Sequence, residues 1–212
     1  MKKFYFFLLL CLVVSNLNAN IIDKLLEITV QNRIKIFDNW NDVFSIYTAG
    51  NDLVVDVFSD AGGHVSIVGY RIINNSIRII VKHRTWEFVR PVYNDRYDTI
   101  IDINHYYLVE IEEINGKLEY FCNRIGEINL NEYIINDAKI YKKTKARLGP
   151  SIQWNEKVEL EEESSVKIIG VEKNGDGVYN TYDYWFKVII DVQEEYWIFG
   201  FFIDFDNRIK IL

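Results

Sequence analysis

Apolar and polar residues alternate through much of the chain. The pattern is clear in Leu53-Val54-Val55-Asp56-Val57-Phe58, in Val65 to Ile73 and in Ser76-Ile77-Arg78-Ile79-Ile80-Val81; a period of two marks strands with a buried face. Asn74-Asn75 joins two of these segments. Asparagine tolerates the positive φ that a two-residue turn requires, so Tyr70 to Val81 is predicted as a hairpin. Asn115-Gly116 is the clearest hairpin signal, lying between Tyr107-Leu108-Val109-Glu110-Ile111 and Lys117 to Cys122. Helical spacing is confined to Ile21 to Val30, where Asp23 is placed to cap a short amphipathic turn, and to Asn129 to Ile135. These elements predict a mainly all-β protein.

The character shifts between Ile128 and Lys145. A polar, Asn-containing connection there leads to a basic cluster, Lys142, Lys143, Lys145 and Arg147, whose field is offset by Glu159, Glu161, Glu162 and Glu163. Solvated strand faces account for such a cluster. A boundary near Asn136 divides the chain into a β-rich domain, residues 20–135, and a second unit, residues 138–207.

Residues 1–19 read as a secretory signal peptide. Lys2 and Lys3 precede an uninterrupted apolar run from Phe4 to Val14, then Ser15-Asn16-Leu17-Asn18-Ala19. Cleavage is placed after Ala19, with Ser15 as the alternative. Cys11 lies in the middle of the run behind three leucines, which is not the setting of a lipidated cysteine. The run is short of the roughly 20 apolar residues a spanning helix needs, and the other apolar runs are cut by charges, so no membrane span is expected after signal removal. The predicted location is periplasmic or secreted.

The whole chain has 212 residues and a net charge of −7; losing Lys2 and Lys3 with the signal, and no acid, takes this to −9. Nucleic acid is excluded as an expected partner, because such binding draws on clustered Lys and Arg. Signal removal also leaves Cys122 alone, and in Tyr120-Phe121-Cys122 it reads as a small buried hydrophobe.

Five short segments between Ala138 and Asn207 occur in a telling order. They are Thr144-Lys145-Ala146-Arg147-Leu148-Gly149-Pro150-Ser151, Val158-Glu159-Leu160, Val166-Lys167-Ile168-Ile169, Asp183-Tyr184-Trp185-Phe186-Lys187-Val188 and Tyr196-Trp197-Ile198-Phe199-Gly200-Phe201-Phe202-Ile203. Together they resemble the bacterial Src-homology-3 domain: its opening strand with an arginine and a Gly-Pro-Ser turn, two further strands, a tryptophan-x-lysine-valine strand and a closing tryptophan strand. The resemblance covers about a third of the chain. Leu148 stands where many members have a small residue, and Glu195-Tyr196 replaces the glycine that usually precedes the closing tryptophan. The resemblance implies a small β-barrel in a cell-envelope binding module, with peptidoglycan peptide or an envelope protein as partner.

Trp185 with Tyr184 and Tyr182 is the expected lining of a shallow ligand groove, and Trp197 joins it from the closing strand. The same aromatics are also apt to fill a small core.

Other motifs point to less. Glu172 to Asp183 imitates a calcium loop, but position twelve is Asp and the flanks are strand patterns, so a long hairpin loop accounts for it better. His64, His83 and His105 lie 19 and 22 residues apart, without metal-ligand spacing. Ser59-Asp60-Ala61-Gly62-Gly63-His64 lacks the lysine and helix of a phosphate loop and reads as a turn. Asp95, Asp98, Asp102, Glu110, Glu112 and Glu113 supply carboxylates without a distinguishing environment, and Glu110 and Glu112 share a strand face like solvated residues. No catalytic residue, metal ligand or cofactor is assigned, and no oligomeric state is set. The expected function is binding within the envelope. The alternative is an envelope enzyme with its catalytic part in residues 20–135, targeted by the barrel.

Overall fold

The computed structural model describes residues 21–38, 41–57, 63–89, 99–178, 181–190 and 194–211. The signal-like segment, positions 59–62 of the predicted turn, and Asp95 and Asp98 lie outside the described residues. The fold is almost entirely antiparallel β-structure. Its first part holds β1 (Ile34–Asp38), β2 (Asn41–Ala49), β3 (Asp52–Val57), β4 (His64–Ile73), β5 (Ser76–Val89), β6 (Thr99–Ile114), β7 (Lys117–Ile125) and β8 (Ile134–Ile135). Then come β9 (Ala138–Ile140), β10 (Thr144–Arg147), β11 (Glu156–Leu160), β12 (Ser165–Val171), β13 (Asp176–Val178), β14 (Thr181–Asp183), β15 (Trp185–Ile189), β16 (Glu195–Phe199), β17 (Ile203–Phe205) and β18 (Arg208–Lys210).

Two sheets form an amino-terminal sandwich, in the orders β1-β2-β3-β18 and β7-β6-β5-β4-β8. Phe44, Ile46, Leu53 and Val55 of the first pack against Ile67, Ile77, Ile79, Val81, Val109 and Ile111 of the second. Alternation then dictates where the other side of the second sheet goes: Val68, Ile80 and Tyr106 point away from the sandwich, into a second core with Ile140, Ile168, Phe186, Val188, Ile198 and Phe205. The β4–β8 sheet is thus a middle layer. Its two covered faces explain the uninterrupted Ile79-Ile80-Val81 and Ile67-Val68.

The third sheet has seven strands, β11-β10-β16-β15-β12-β9-β17, with β13-β14 as a separate hairpin. Its end strands β11 and β17 do not pair with one another, so the ring expected of a barrel is open in its hydrogen bonding. The chain crosses between the halves twice. It leaves β8 for β9 beside Asn136, and it returns in β18, which pairs with β3 in the register Ile209↔Leu53. Asn136 ties the crossings together, its Nδ2 donating to the carbonyls of Asp206 at 2.9 Å and Arg208 at 3.0 Å.

Three local expectations differ from the structure. The helix predicted from Ile21 to Val30 is one turn at residues 21–25 followed by a 3-10 turn at Val30–Asn32, and Asp23 lies inside the first turn instead of capping it. Strand β2 takes the backbone over: Thr48 Oγ1 donates to the Ile28 carbonyl at 2.8 Å and its N–H does so at 2.5 Å. Residues 129–133 turn rather than coil into a helix, with Asn129 Oδ1 accepting the Asn131 N–H at 2.9 Å and Glu132 at φ 69°. The closing strand from Tyr196 to Ile203 is interrupted by a 3-10 turn at Gly200–Phe202.

That 3-10 turn is clasped by charge. Lys82, fully buried, donates to the carbonyls of Gly200 at 2.6 Å and Ile203 at 3.0 Å and lies 3.4 Å from Asp183 Oδ2. Asp183 also accepts from Tyr106 Oη at 2.6 Å, Asn104 Nδ2 at 2.8 Å and the Tyr184 N–H at 2.7 Å. Burial brings the Lys82 amine down to about 8, against the pull of Asp183. The Asp183 that ends the calcium-like stretch is therefore turned inward and engaged.

Candidate functional site

Strands β15 and β16 sort their side chains by alternation. Phe186, Val188, Tyr196 and Ile198 enter the second core. Trp185 and Phe199, directly opposite one another, lie on the other face with Lys187 and Trp197. There Trp185 and Phe199 meet at 5.3 Å between ring centroids, Val178 closes the cluster, and Trp197, Phe201 and Phe202 pack beside it half-buried. The Trp185 indole N–H donates to Asp176 Oδ2 at 2.9 Å, so the β13–β14 hairpin fixes the ring. A cavity of about 350 Å³ opens over this floor, bounded by Trp185, Phe199 and Phe202 below and by Lys143, Lys145, Arg147, Ile152 and Glu156 at the rim.

The rim continues into residues 148–155, a loop built on Arg147. Its Nη1 donates to the carbonyls of Ile152 at 3.0 Å and Trp154 at 2.9 Å, and its Nη2 to Glu156 Oε1 at 2.8 Å. Lys145 takes the other Glu156 oxygen at 2.6 Å. Lys143 lies 2.7 Å from both Glu159 and Glu161, whose hydrogen bonds push its ammonium pKa above the usual lysine range. Hydrogen bonds from Lys145 and Lys143 hold Glu156 and Glu159 below the usual carboxylate range. The backbone is pinned, yet Leu148, Ile152 and Trp154 are 46%, 50% and 52% exposed.

The four aromatics predicted for the groove divide into two pairs. Trp185 and Trp197 share a strand face, Trp185 as the buried floor of the cavity and Trp197 half-buried beside it, outside the lining. Tyr184 sits in the break between β14 and β15, where alternation resets; it is buried in the second core, edge-on to Tyr106 at 5.1 Å, with its hydroxyl donating to the Gly126 carbonyl. Tyr182 is exposed, edge-on to Tyr184 at 6.3 Å. Leu148, Ile152 and Trp154 were not expected as site residues. Their signal was compositional: three large apolar residues in a stretch broken by Gly-Pro-Ser, where no alternation could bury them.

A larger cleft, about 1150 Å³, lies where the chain crosses between the halves, lined by His64, Asn136, Lys139, Glu163, Asp204 and Asp206 among others. Two pairs lie within it, His64 Nδ1 at 3.2 Å from Asp204 and Lys139 at 3.1 Å from Glu163, and Asp137, Lys167 and Asp206 also line it. Burial pushes the Asp204 carboxyl up, and His64, Arg84 and Lys82 outweigh this to hold it below its ordinary value. Such a carboxylate stays ionised rather than poised as an acid. On the face of β6 that bears Tyr106, Glu110 pairs with Arg78 at 2.7 Å. Among the described residues no helix is long and apolar enough to cross a membrane.

No family model, curated protein or solved structure matches the chain. The site therefore stands on its geometry.

Proposed function

We propose that the chain is a binding protein of the cell envelope, in which residues 138–207 act as a bacterial Src-homology-3-like unit that takes a cell-wall peptide or a segment of an envelope protein. One observation carries this reading: an Arg147-pinned loop holds Leu148, Ile152 and Trp154 in solvent beside an aromatic-floored cavity. Extended peptides dock on aromatic-lined grooves through such apolar anchors, with few polar contacts to fix direction. Lys145, Arg147 and Glu156 put both signs of charge at the rim, which suits a peptide carrying amino and carboxyl groups. Asp183 is engaged in the clasp and Glu156 in the loop.

The test is co-sedimentation of the full mature chain with purified peptidoglycan sacculi at low and at physiological salt. Pelleting is expected to survive the higher salt and to be lost in Trp154→Ala and Ile152→Ala, whose exposed positions leave the circular dichroism unchanged. Pelleting equal in wild type and both variants would remove the loop from the site. Without pelleting of the wild type, the wall is not the partner, and a pull-down from an envelope fraction with the same two variants decides between an envelope protein and no role for the loop.

A further inference from the structure

The candidate cavity and the buried Lys82–Asp183 clasp meet at one joint in the backbone. Trp185 and Phe199 are the last register pair of the β15–β16 ladder. Beyond them lie the break at Tyr184 on one strand and the 3-10 turn Gly200–Phe202 on the other. A terminal pair has ladder on one side only, and the ends of such elements are where strands fray first.

Here the open side is closed by the clasp. The Gly200 N–H donates to the Tyr184 carbonyl at 2.7 Å, which joins the two strands one residue past the floor. The remaining polar groups of the same two residues go to the clasp. The Tyr184 N–H donates to Asp183 Oδ1 at 2.7 Å, and Lys82 Nζ donates to the Gly200 carbonyl at 2.6 Å. Lys82 also donates to the Ile203 carbonyl at 3.0 Å, so it spans the turn. Trp185 follows Tyr184, Phe199 precedes Gly200 and Phe202 lies between the two bonded carbonyls; these three are the aromatic floor of the cavity. Gly200 leaves the room this needs, since a Cβ there would stand 2.6 Å from Asp183 Oδ1 and 2.8 Å from the Phe186 ring.

A buried charge pair adds little stability that apolar residues of the same volume could not supply. What it adds is direction, because hydrogen bonds fix the aim of a peptide group and packing does not. We propose that Lys82 and Asp183 are positioning residues of the candidate site, holding the backbone from which Trp185, Phe199 and Phe202 reach the cavity. The proposal rests on the reading of that cavity as the binding site. It makes a lysine of the middle sheet a determinant of a surface carried by the other half.

The test separates geometry from stability in the full mature chain. In Lys82→Met with Asp183→Leu the volume stays filled and the aim is lost. This double variant is expected to unfold cooperatively. The indole N–H signal of Trp185 in proton–nitrogen correlation spectra, assigned with Trp185→Phe and single in the wild type, is expected to split or broaden. Binding to whichever probe retains the wild type, purified sacculi or the envelope fraction, is expected to be at least about tenfold weaker. Ile140→Val, which removes one methyl group from the same core, is expected to change neither. Should the double variant lack a cooperative transition, Gly200→Ala is read in its place with the same expectations, because it keeps both charges and forces the turn off Asp183 and Phe186. A single, unshifted Trp185 signal in the clasp variant overturns the proposal, as does wild-type binding despite a disturbed signal. Equal losses in Ile140→Val overturn it as well, since the effect would then follow stability. A wild type that binds neither probe, with the Trp185 signal of the variant disturbed, refutes the binding reading and leaves the hold of the clasp on the aromatic floor intact.

Discussion

The two halves of this molecule solve the problem of a core in different ways. The amino-terminal sandwich closes two sheets on each other with mainly aliphatic side chains and takes Ile209 and Ile211 from the returning carboxy terminus. The seven-stranded sheet borrows a whole layer, since Val68, Ile80 and Tyr106 of the middle sheet belong to its core, and it needs Lys82 to hold its 3-10 turn. The dependence is unequal. The proposed binding surface is carried by a sheet whose core is completed by strands of the other half, with Tyr106 reaching Asp183 across 77 positions and Lys82 reaching Gly200 across 118.

The most severe way to break this asymmetry is to separate the halves. Residues 138–212 expressed alone lose the apolar layer from β4, β5 and β6 and are expected to show neither near-ultraviolet circular dichroism nor a cooperative urea transition. A cooperative transition in that fragment would make the second core self-sufficient.

Next in size is the clasp. Asp183→Ala strands Lys82 as a buried charge and is expected to cost about 3–5 kcal/mol in urea unfolding. Replacing both partners, Lys82→Met with Asp183→Leu, is expected to recover much of this, because two apolar groups need no solvation. The same lysine gives a smaller, pH-dependent effect. Below pH 8 both folded and unfolded chains carry its proton and the burial penalty is present in full. Between about 8 and 10.5 only the unfolded chain keeps the proton, so stability rises with pH. From pH 8 to 9.5 the gain is expected to be about 1–2 kcal/mol, and absent in Lys82→Met. Tyr106, pushed up by burial, works in the opposite sense only once free tyrosine ionises near 10.

What the sequence could show follows from how local each contact is. The Asn115-Gly116 turn and the strands beside it are encoded within a dozen residues, and both were legible. Ser76 to Val81 reads as one-faced alternation, and the second covered face that explains Ile79-Ile80-Val81 is not legible in it. The helix at Ile21 failed because Thr48, twenty residues on, captures the Ile28 carbonyl. The pairing of β18 with β3 and the Lys82–Asp183 clasp join residues about 100 or more positions apart, and neither leaves a periodic trace. At the site, the Trp185 strand was legible as a motif, whereas the loop anchors were not, since exposure of an apolar side chain is a property of the folded surface.

Two glycines sharpen the contrast at the smallest scale. Gly63, at the head of β4, has φ 99°, and a Cβ there would collide with the Arg84 backbone carbonyl. Neither the strained φ nor the sheet backbone can yield, so Gly63→Ala is expected to cost about 2–3 kcal/mol. Gly149 also leaves no room for a Cβ, but its obstacle is the ring of Trp154, the end of an exposed side chain. Its φ lies outside the left-handed region, so alanine meets no backbone strain, and the lower entropy of the unfolded chain partly offsets the displaced ring. Gly149→Ala is therefore expected to change stability by less than about 1 kcal/mol in urea unfolding while moving the Trp154 anchor off the loop. If the loop is the docking surface, that nearly silent substitution reduces sacculus or partner binding as much as Trp154→Ala does. Binding that follows stability instead, impaired by Gly63→Ala and spared by Gly149→Ala, would place the site on the sandwich rather than on the sheet that leans on it.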